Sequence, residues 1–504
     1  MEESKNLYDL VIVNGRIMDP ETDLDTISNL GITGGKIVAI SEQPLTGKET
    51  IDASGHVVAP GFIDSHNHNA GVPFGEKLAL RDGVTSPMEL EAGVYPVKDW
   101  YARLEGKCRT NYGASVGTLP VREHVFNPAY TTQFAGDAVY DLMAAPEQAH
   151  TSMKWSTQVA NADELKRIEA CLEEGLQQGA IGIGHTPGYM VAGVTQEEAI
   201  ICQKLVGKYK QSVYIHCRFS GQRPPTSGIL GFLEQMAPQV AYGGGIVFQH
   251  MTAQALADTP QALELFDAAQ AKGISALAEV YPYDFGGSIV AADYLHPDNY
   301  GPNMGRDYKD ITETATGKPL TKERYEELVK TAPGTNIMFK NATEDTVCAA
   351  LTHPTSVLGS DAFPYVMKTD GSAVLDWDIP FDAVNGHPRG AGAHAKLLRW
   401  VREGKVNISL MLGISKMTYM IARYLEDNGV PQMADKGRIQ VGKDADITIF
   451  DPDKVQDNST MQDGGLPSTG IPYVIVNGTV VVRESENVND VFPGKPIFGA
   501  EKAV

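Results

Sequence analysis

The feature that most constrains the fold is a short apolar run that ends in two histidines one residue apart, His66 and His68. The run contains Phe62 and Ile63 and predicts a buried strand. Alternate side chains of a strand share a face, so both imidazoles are expected to point the same way. Two converging imidazoles at a strand end make half of a metal site. A bare His-x-His is more often two polar residues in a loop, but the Pro-Gly-Phe-Ile-Asp before it, after an all-β segment, argues against that interpretation.

The two ends of the chain show the same sequence pattern. Residues 1–60 and 430–504 both contain short apolar runs separated by Asn-Gly or Gly-Gly pairs, which are hairpin signals. Each segment is too small to bury its own apolar face, so we expect the two to pack on each other. The sequence therefore predicts one small β-sandwich built from both termini.

Between the termini, residues 61–429 alternate strand-like and helix-like patterns, which is typical of βα units around a parallel sheet. Several of these strands end in residues that can bind a metal: His216, His250 and Asp361. A (β/α)8 barrel gathers such residues at the carboxyl ends of its strands, whereas a doubly wound sheet gathers ligands at one crevice. We predict an α/β fold with a (β/α)8 TIM-like barrel over residues 61–429, carrying an insertion at about 291–335.

Charge and cysteine content restrict the partners and the compartment. The chain has 42 basic and 63 acidic residues, a net charge of −21, which argues against nucleic acid or an anionic membrane as a partner. Its five cysteines are scattered without a C-x-x-C pair, which fits a reducing compartment. The start lacks a basic stretch followed by an apolar one, and no apolar run reaches 18 residues. We expect a soluble cytoplasmic protein with a small-molecule substrate, and a homo-oligomer remains open.

A further ligand is expected in the strand-like segment 83–93, where Glu89 and Glu91 share a face. A buried carboxylate is costly unless it is paired or coordinated, so two of them at a barrel strand end indicate a site. The alternative is a solvated loop. Nitrogen and oxygen ligands without a thiolate suit Zn²⁺, with Mn²⁺, Co²⁺ or Fe²⁺ as alternatives, and one or two ions are compatible with this set.

Motifs along nearly the whole chain make it similar to one branch of a known superfamily. In order they are residues 60–68 (PGFIDSHNH), 179–182 (GAIG), 216–218 (HCR), 281–283 (YPY), 359–361 (GSD), 387–389 (HPR), 416–418 (KMT), 437–439 (GRI) and 441–447 (VGKDADI). The chain resembles the D-aminoacylase (N-acyl-D-amino-acid deacylase) branch of the amidohydrolase superfamily. The resemblance implies a hydrolase that acts on carbon–nitrogen bonds of non-peptide amides.

The resemblance also implies roles for individual residues. The metal-binding and catalytic positions fall on His66, His68, His216, His250 and Asp361. Arg389 lies where the branch carries an arginine that holds the substrate carboxylate, and the positions that line its substrate pocket fall near Tyr189, Tyr283 and Ser288.

The chain departs from the branch at three points. The usual cysteine ligand after the third strand is absent; Glu91 is nearer that place than Glu89, although an ungapped alignment lands on Ala92. The usual Ser-Thr-Gly-Leu after the fourth strand is replaced by residues 185–188 (HTPG), and the usual His-His-Lys at the sixth by residues 249–251 (QHM). The fold and the hydrolytic class are expected to be unaffected.

The predicted mechanism uses a metal-bound hydroxide as nucleophile, with Asp361 as general base and then general acid. Arg389 either pairs the substrate carboxylate or is a structural arginine beside Pro388. Arg218 follows a ligand by two positions, so it is either a second anion contact or part of a buried salt bridge. His185 either hydrogen-bonds the substrate or is a loop histidine.

Three functions remain open at this point. The first is hydrolysis of N-acyl amino acids or related amides that carry a carboxylate. The second is hydrolysis of a cyclic amide, as in hydantoinases and dihydroorotases. The strand that ends near His185 contains no lysine, so it offers no residue for a carbamylated bridge between two metal ions, which argues against this second function. The third is a metal-free scaffold of amidohydrolase ancestry, which would be expected to have lost several of the histidines.

Overall fold

Strands occupy both ends of the chain and alternate with helices in its middle, in a computed structural model that describes residues 7–144, 153–221 and 227–500. Residues 1–6 of the predicted terminal domain therefore lie outside the described residues. In chain order the strands are β1 (Leu7–Asp19), β2 (Leu24–Thr33), β3 (Lys36–Ser41), β4 (Thr46–Asp52), β5 (Val57–Pro60), β6 (Phe62–Asp64), β7 (Val84–Val94), β8 (Gly113–Gly117), β9 (Ile183–His185), β10 (Ser212–Ile215), β11 (Gly245–Phe248), β12 (Ala276–Val280), β13 (Phe285–Ile289), β14 (Ile311–Glu313), β15 (Lys318–Pro319), β16 (Asn336–Lys340), β17 (Ser356–Leu358), β18 (Val366–Met367), β19 (Val384–Asn385), β20 (Ile447–Phe450), β21 (Tyr473–Val476), β22 (Thr479–Arg483) and β23 (Glu486–Asn487).

Helices connect the central strands and cover the outside of their sheet. They are α1 (Pro73–Arg81), α2 (Val97–Leu104), α3 (Thr118–Phe126), α4 (Lys154–Thr157), α5 (Ala162–Gln177), α6 (Gln196–Tyr209), α7 (Gly228–Tyr242), α8 (Met251–Ala255), α9 (Thr259–Gln270), α10 (Pro297–Met304), α11 (Lys322–Thr331), α12 (Glu344–Thr352), α13 (Arg389–Arg402), α14 (Leu410–Lys416) and α15 (Tyr419–Asp427). The helix α5 begins with a reciprocal capping box formed by Asn161 and Glu164. Within the described residues, no helix is both long enough and apolar enough to cross a membrane.

Eight parallel strands form the central sheet, in the order β6-β7-β8-β9-β10-β11-β12-β17. The sheet closes on itself just beyond the ends of β6 and β17, where the backbone N–H of Asp361 donates to His66 O at 2.7 Å and that of His68 donates to Ala362 O at 2.9 Å. This seam brings the first and last strands of the barrel together. The (β/α)8 barrel predicted from the sequence is confirmed.

The two termini form one nine-stranded sheet, in which β5 from the first segment pairs with β20 from the last. Apolar side chains from both segments share a buried core, with Ile17 and Val58 on one side and Ile447 and Ile475 on the other. The predicted sandwich of both termini is thus confirmed as part of the fold class.

A small antiparallel sheet lies above the barrel and interrupts the βα alternation. Its strand order is β13-β16-β14-β15, and it runs between Phe285 and Lys340 with α10 and α11 in its connections. The predicted insertion, residues 291–335, lies inside this span. Tyr294 and Phe339 from this sheet and its connections pack against each other, with ring centroids 5.5 Å apart, above the strand ends.

Candidate metal centre

The predicted metal ligands lie together at the carboxyl ends of the barrel strands. His66 and His68 follow β6, Glu91 lies in β7, His216 follows β10, His250 comes two residues after β11, and Asp361 follows β17. All six side chains are buried. Because the carboxyl ends of the strands meet at one face of a barrel, residues up to 295 positions apart in the sequence become neighbours.

Glu91 lies between two pairs of histidines. Its Oε1 is 2.8 Å from His250 Nε2 and 3.2 Å from His216 Nδ1. Its Oε2 is 3.5 Å from the Nε2 atoms of both His66 and His68. A carboxylate in this position can share its two oxygens between two cations, one on each side. Of the two glutamates that the sequence singled out, Glu91 is the one that faces the cluster.

Asp361 completes the side of the cluster that holds His66 and His68. Its Oδ1 is 3.3 Å from the Nε2 atom of each histidine, and its Oδ2 is 2.8 Å from Arg389 Nη1. The backbone of Asp361 has a φ of 53°, a left-handed conformation that is uncommon for a residue with a side chain. The seam hydrogen bond to His66 O holds it there, as expected for strain kept at a functional position.

Two further carboxylates hold the histidines of the His-x-His pair from behind. Glu279 Oε2 is 2.7 Å from His66 Nδ1, and Glu89 Oε2 is 2.8 Å from His68 Nδ1. Sequence reasoning considered Glu89 only as a ligand and missed Glu279. The available signal was a single carboxylate inside the otherwise apolar strand β12, Ala-Leu-Ala-Glu-Val.

These carboxylates dominate the electrostatics of the cluster. Burial alone lowers the pKa of His66, but the charges of Asp361, Glu91 and Glu279 outweigh it and raise that pKa to about 10. The pKa of His68 is likewise raised well above its usual value, chiefly by Glu89 against the effect of burial. The site therefore concentrates negative charge that a cation would neutralise.

The residues present fit a divalent metal ion. His66 Nε2 is buried without a hydrogen-bond partner among the described residues, and it points toward carboxylate oxygens of Glu91 and Asp361. Two sets of ligand atoms lie within 4.8 Å of one another, His66–Glu91–His250 and His66–His68–Asp361. A donor set of imidazole nitrogens and carboxylate oxygens suits Zn²⁺ and related transition metals.

A narrow cavity opens directly beside this cluster. His216, His250, Asp361 and Arg389 line one side. The other side is largely aromatic and is formed by Tyr189, Tyr281, Tyr294, Met304 and Phe339. The three guanidinium nitrogens of Arg389 are buried and find no hydrogen bond of acceptable geometry within the described part of the chain, although Nη1 contacts Asp361. A buried guanidinium with donors to spare beyond its ion pair with Asp361 is expected to bind an anion in this cavity.

The structure separates the predicted pocket residues. Tyr189 lines the cavity, and Ser288 lies directly behind it, with its Oγ 3.4 Å from Tyr189 Oη. Tyr283 is not among the residues that line this cavity, and its ring lies under Lys396 Nζ at 3.6 Å. The reason is local, since Tyr283 N donates to Tyr281 O in a tight turn, so the alternation of β12 does not continue. Tyr281 takes the inward position instead.

The structure places Arg218 in a buried salt bridge, one of its two predicted roles, and not among the residues that line the cavity. Its Nε donates to Glu234 Oε2 at 2.8 Å and its Nη1 to Val194 O at 2.9 Å. The strand β10 ends at Ile215, so the side-chain alternation that would place Arg218 beside His216 is lost.

His185 is not among the residues that line the cavity. Its Nδ1 lies 3.2 Å from Thr118 Oγ1, at the end of β9. Burial, together with the charges of Arg218 and Arg122, lowers the pKa of His185 to about 3, so the ring is neutral. The structure thus gives no support to the predicted contact with substrate.

Comparison with known proteins agrees with this fold. The family model described as "Amidohydrolase family" matches residues 49–106, the stretch that contains His66, His68 and Glu91. The N-acyl-D-glutamate deacylase of Alcaligenes xylosoxydans xylosoxydans is 26% identical over 502 residues, which cover 95% of this chain and 94% of that protein.

Two solved structures share the fold. One is the N-acyl-D-glutamate deacylase of Bordetella bronchiseptica in complex with zinc and a phosphonate inhibitor, with a TM-score of 0.76 and 22% identity over 98% of this chain and 100% of that one. The other is a D-aminoacylase described with a binuclear metal centre, with a TM-score of 0.73 and 21% identity over the same shares. The family model, the full-length relative and the fold together support the D-aminoacylase branch of the amidohydrolase superfamily, a group of hydrolases to which this chain is similar.

Proposed function

We propose that this protein is a metal-dependent hydrolase that cleaves the amide bond of N-acyl amino acids. The observation that carries the proposal is that a buried arginine, with donors beyond its ion pair with Asp361, lines a cavity beside a cluster of histidines and carboxylates. The names of the full-length relative and of the structural neighbours, which act on N-acyl amino acids, support the same substrate class.

Six residues would hold the metal, which we expect to be Zn²⁺, as one or two ions: His66, His68, Glu91, His216, His250 and Asp361. When bound, the ion lowers the pKa of a coordinated water from ~15.7 towards ~7 and polarises the amide carbonyl.

Arg389 would bind the carboxylate of the substrate. Its planar fork of N–H donors matches a carboxylate in a bidentate geometry. The guanidinium is fixed at the start of α13 and is buried, so its desolvation and ordering add little to the cost of binding the substrate. A substrate bound there has its amide bond directed toward the cluster and Asp361.

Asp361 would move the proton. Burial raises its pKa, but Arg389 and His66 outweigh this effect and hold the pKa well below the usual range, so the group is a carboxylate. Its Oδ2 contacts Arg389, which leaves Oδ1 to accept a proton from the attacking water and return it to the leaving amine. Water oxygen bonds to the carbonyl carbon, the carbon–nitrogen bond breaks, and the products are a carboxylic acid and a free amino acid.

The proposal is tested by elemental analysis of the purified protein, followed by a hydrolysis screen of N-acetyl and longer N-acyl derivatives of both D- and L-amino acids. We expect one to two zinc ions per chain and release of free amino acid. Hydantoins and dihydroorotate in the same screen test the cyclic-amide alternative, because their hydrolysis in preference to N-acyl amino acids would replace the proposal. A folded protein without metal and without activity would overturn it in favour of a scaffold.

A further inference from the structure

The outer helix α7 has the reverse of the usual polarity. Its charged and amide side chains, Glu234, Gln235 and Gln239, are turned inward and are nearly buried. A surface helix normally directs its polar residues outward and its apolar residues toward the core. On α7 every exposed residue is instead apolar or aromatic: Leu230, Leu233, Ala237, Val240, Ala241 and Tyr242.

The helices next to α7 follow the usual pattern. On α6 the exposed residues include Lys204 and Lys208, which pair with Glu169 and Glu173 of α5. On the other side, α9 exposes Asp267. The apolar face of α7 is therefore bordered by charged residues that have partners within the chain. An apolar centre with a polar rim is the usual anatomy of a protein–protein interface.

The apolar face of α7 has a ridge and a groove side by side. Leu233 and Val240 form the ridge, because they lie seven positions apart on one stripe of the helix, and they are 46% and 74% exposed. The groove runs between α7 and α6, and most of its lining is apolar: Ile200, Leu230, Ala237, Pro238 and Ala241. Glu234 also lines it, but its Oε2 accepts from Arg218 Nε at 2.8 Å within the fold. A two-fold axis would bring the ridge of each copy to the groove of the other, since an isologous contact uses the same patch twice.

The described residues leave this face exposed, and the rest of the sequence offers nothing to cover it. Residues 1–6, 145–152, 222–226 and 501–504 lie outside the described residues and contain no run of apolar side chains. The net charge of −21 disfavours a membrane with anionic lipids. It also makes two copies of the chain repel each other in most orientations. They approach at the least electrostatic cost through a face without exposed charge, where burial of apolar surface favours contact.

We propose that the exposed face of α7 is the contact surface of a two-fold symmetric homodimer, and that a second copy of this chain covers it. The ridge of Leu233 and Val240 packs into the groove of the other copy, and α6 contributes the rim. This surface lies on the outside of the barrel and not in the cavity beside the histidines. The inference does not depend on the proposed function, and each can fail without the other.

The first test is the mass of the full-length protein in solution. Sedimentation velocity over about 0.1–50 µM should show twice the mass of one chain at the upper end, with a Kd below about 10 µM. Raising the salt concentration from about 0.02 M to about 0.5 M should lower this Kd at least threefold, because salt screens the repulsion between two acidic chains. A monomer at every concentration, or a dimer that salt weakens, would overturn the inference.

The second test places charge on the ridge. Val240→Lys and Leu233→Lys each bring an ammonium group into the apolar contact, and the two-fold symmetry brings it there twice, so each should raise the Kd at least 100-fold. Both positions are exposed in the single chain and lysine is a good helix former, so the variants should fold, which thermal unfolding checks. The matched control is Ile27→Lys, at a 71% exposed position of β2 in the terminal sheet, which should leave the Kd within about twofold.

All three variants make the chain less acidic, so a general effect of charge would strengthen the dimer in each of them. A loss that is confined to the two α7 variants therefore identifies the apolar contact. A dimer that neither α7 variant weakens would overturn the inference, because its interface would lie elsewhere. A monomer that cosediments with phosphatidylcholine vesicles, and ceases to do so in Val240→Lys, would also overturn it and assign the face to a lipid surface.

Discussion

At the amino-terminal end of the barrel strands, the buried ammonium of Lys416 donates to Ser356 O at 2.8 Å, to Ser356 Oγ at 3.1 Å and to His353 O. At the carboxyl end, the equally buried guanidinium of Arg389 has no well-formed hydrogen bond among the described residues, and His66 Nε2 has none either. Both ends bury cationic or basic groups at a cost. Lys416 offsets that cost with hydrogen bonds inside the fold. Arg389 contacts Asp361 and His66 Nδ1 contacts Glu279, but the remaining nitrogens of both side chains keep bonding capacity for a ligand. The contrast indicates stability at one end and ligand binding at the other.

Of the variants that test this contrast, Asp361→Asn at the carboxyl end of the barrel strands should have the largest effect on activity. The amide keeps the shape of the side chain but cannot accept a proton from water, so we expect kcat to fall by about 10³-fold. Steady-state hydrolysis of the best N-acyl amino acid measures the effect, and metal content is the control because Asp361 also faces the cluster. A fully metallated variant with kcat within tenfold of wild type would remove Asp361 from the chemistry.

The next effect is expected from Arg389→Met, which keeps the length of the side chain and removes its donors. Loss of charge-assisted hydrogen bonds to a substrate carboxylate should lower kcat/KM by roughly 10- to 100-fold. The control is a substrate without a carboxylate, such as an N-acyl amine. If both substrates lose equally, Arg389 acts through Asp361 rather than on the carboxylate.

At the opposite end, Lys416→Met should cost about 2–3 kcal/mol of stability, because two buried carbonyls lose their donor. Burial lowers the pKa of Lys416 to about 7, while the unfolded chain has a value near ~10.4. Between these values the unfolded state binds more protons, so wild-type stability rises with pH.

Lys416→Met should lack this rise of stability with pH. The difference in unfolding free energy between wild type and Lys416→Met should therefore be larger at pH 9 than at pH 7. Urea unfolding at the two pH values measures it. Lys272→Met, at an exposed position of the αβ loop after α9, is the matched control and should keep the wild-type dependence on pH. Equal losses at pH 7 and pH 9 would show that Lys416 stays charged throughout.

The smallest effect is expected from Tyr283→Phe, compared with Tyr281→Phe. Tyr281 lines the cavity and accepts from Asn341 Nδ2 at 2.9 Å, which leaves its own proton for a substrate oxygen, so we expect a loss of about tenfold. Tyr283 lies outside the cavity and should change kcat/KM by less than about twofold. Reversed effects would restore the assignment made from the sequence.

Much of the fold could be predicted because its signals are local. Apolar runs that end in His216, His250 and Asp361 identify barrel strands one at a time, and hairpin pairs at both ends of the chain identify the terminal sheet. The ligands followed from the same signals, since each follows or belongs to a strand.

The parts that failed depend on where a strand stops or on contacts far apart in the sequence. Arg218 was placed by side-chain alternation, which ends with β10, whereas Tyr283 was placed by the resemblance, which does not report the turn after β12. Glu279 lies 213 positions from the histidine that it holds, and no local pattern reports that contact. The resemblance favoured Glu91 over Glu89, and the structure adds that Glu91 faces the cluster while Glu89 contacts the outer nitrogen of His68.

The seam between β6 and β17 also has a consequence for folding. The hydrogen bond from Asp361 N to His66 O joins residues 295 positions apart, so it forms only after the intervening strands and helices have been ordered. The same hydrogen bond brings His66 and Asp361 together. We therefore expect the metal to bind late in folding and to stabilise the closed barrel. When refolding is followed by cobalt absorbance, metal binding should occur in the slowest phase. Metal binding in the earliest phase would show that the cation instead nucleates closure of the barrel.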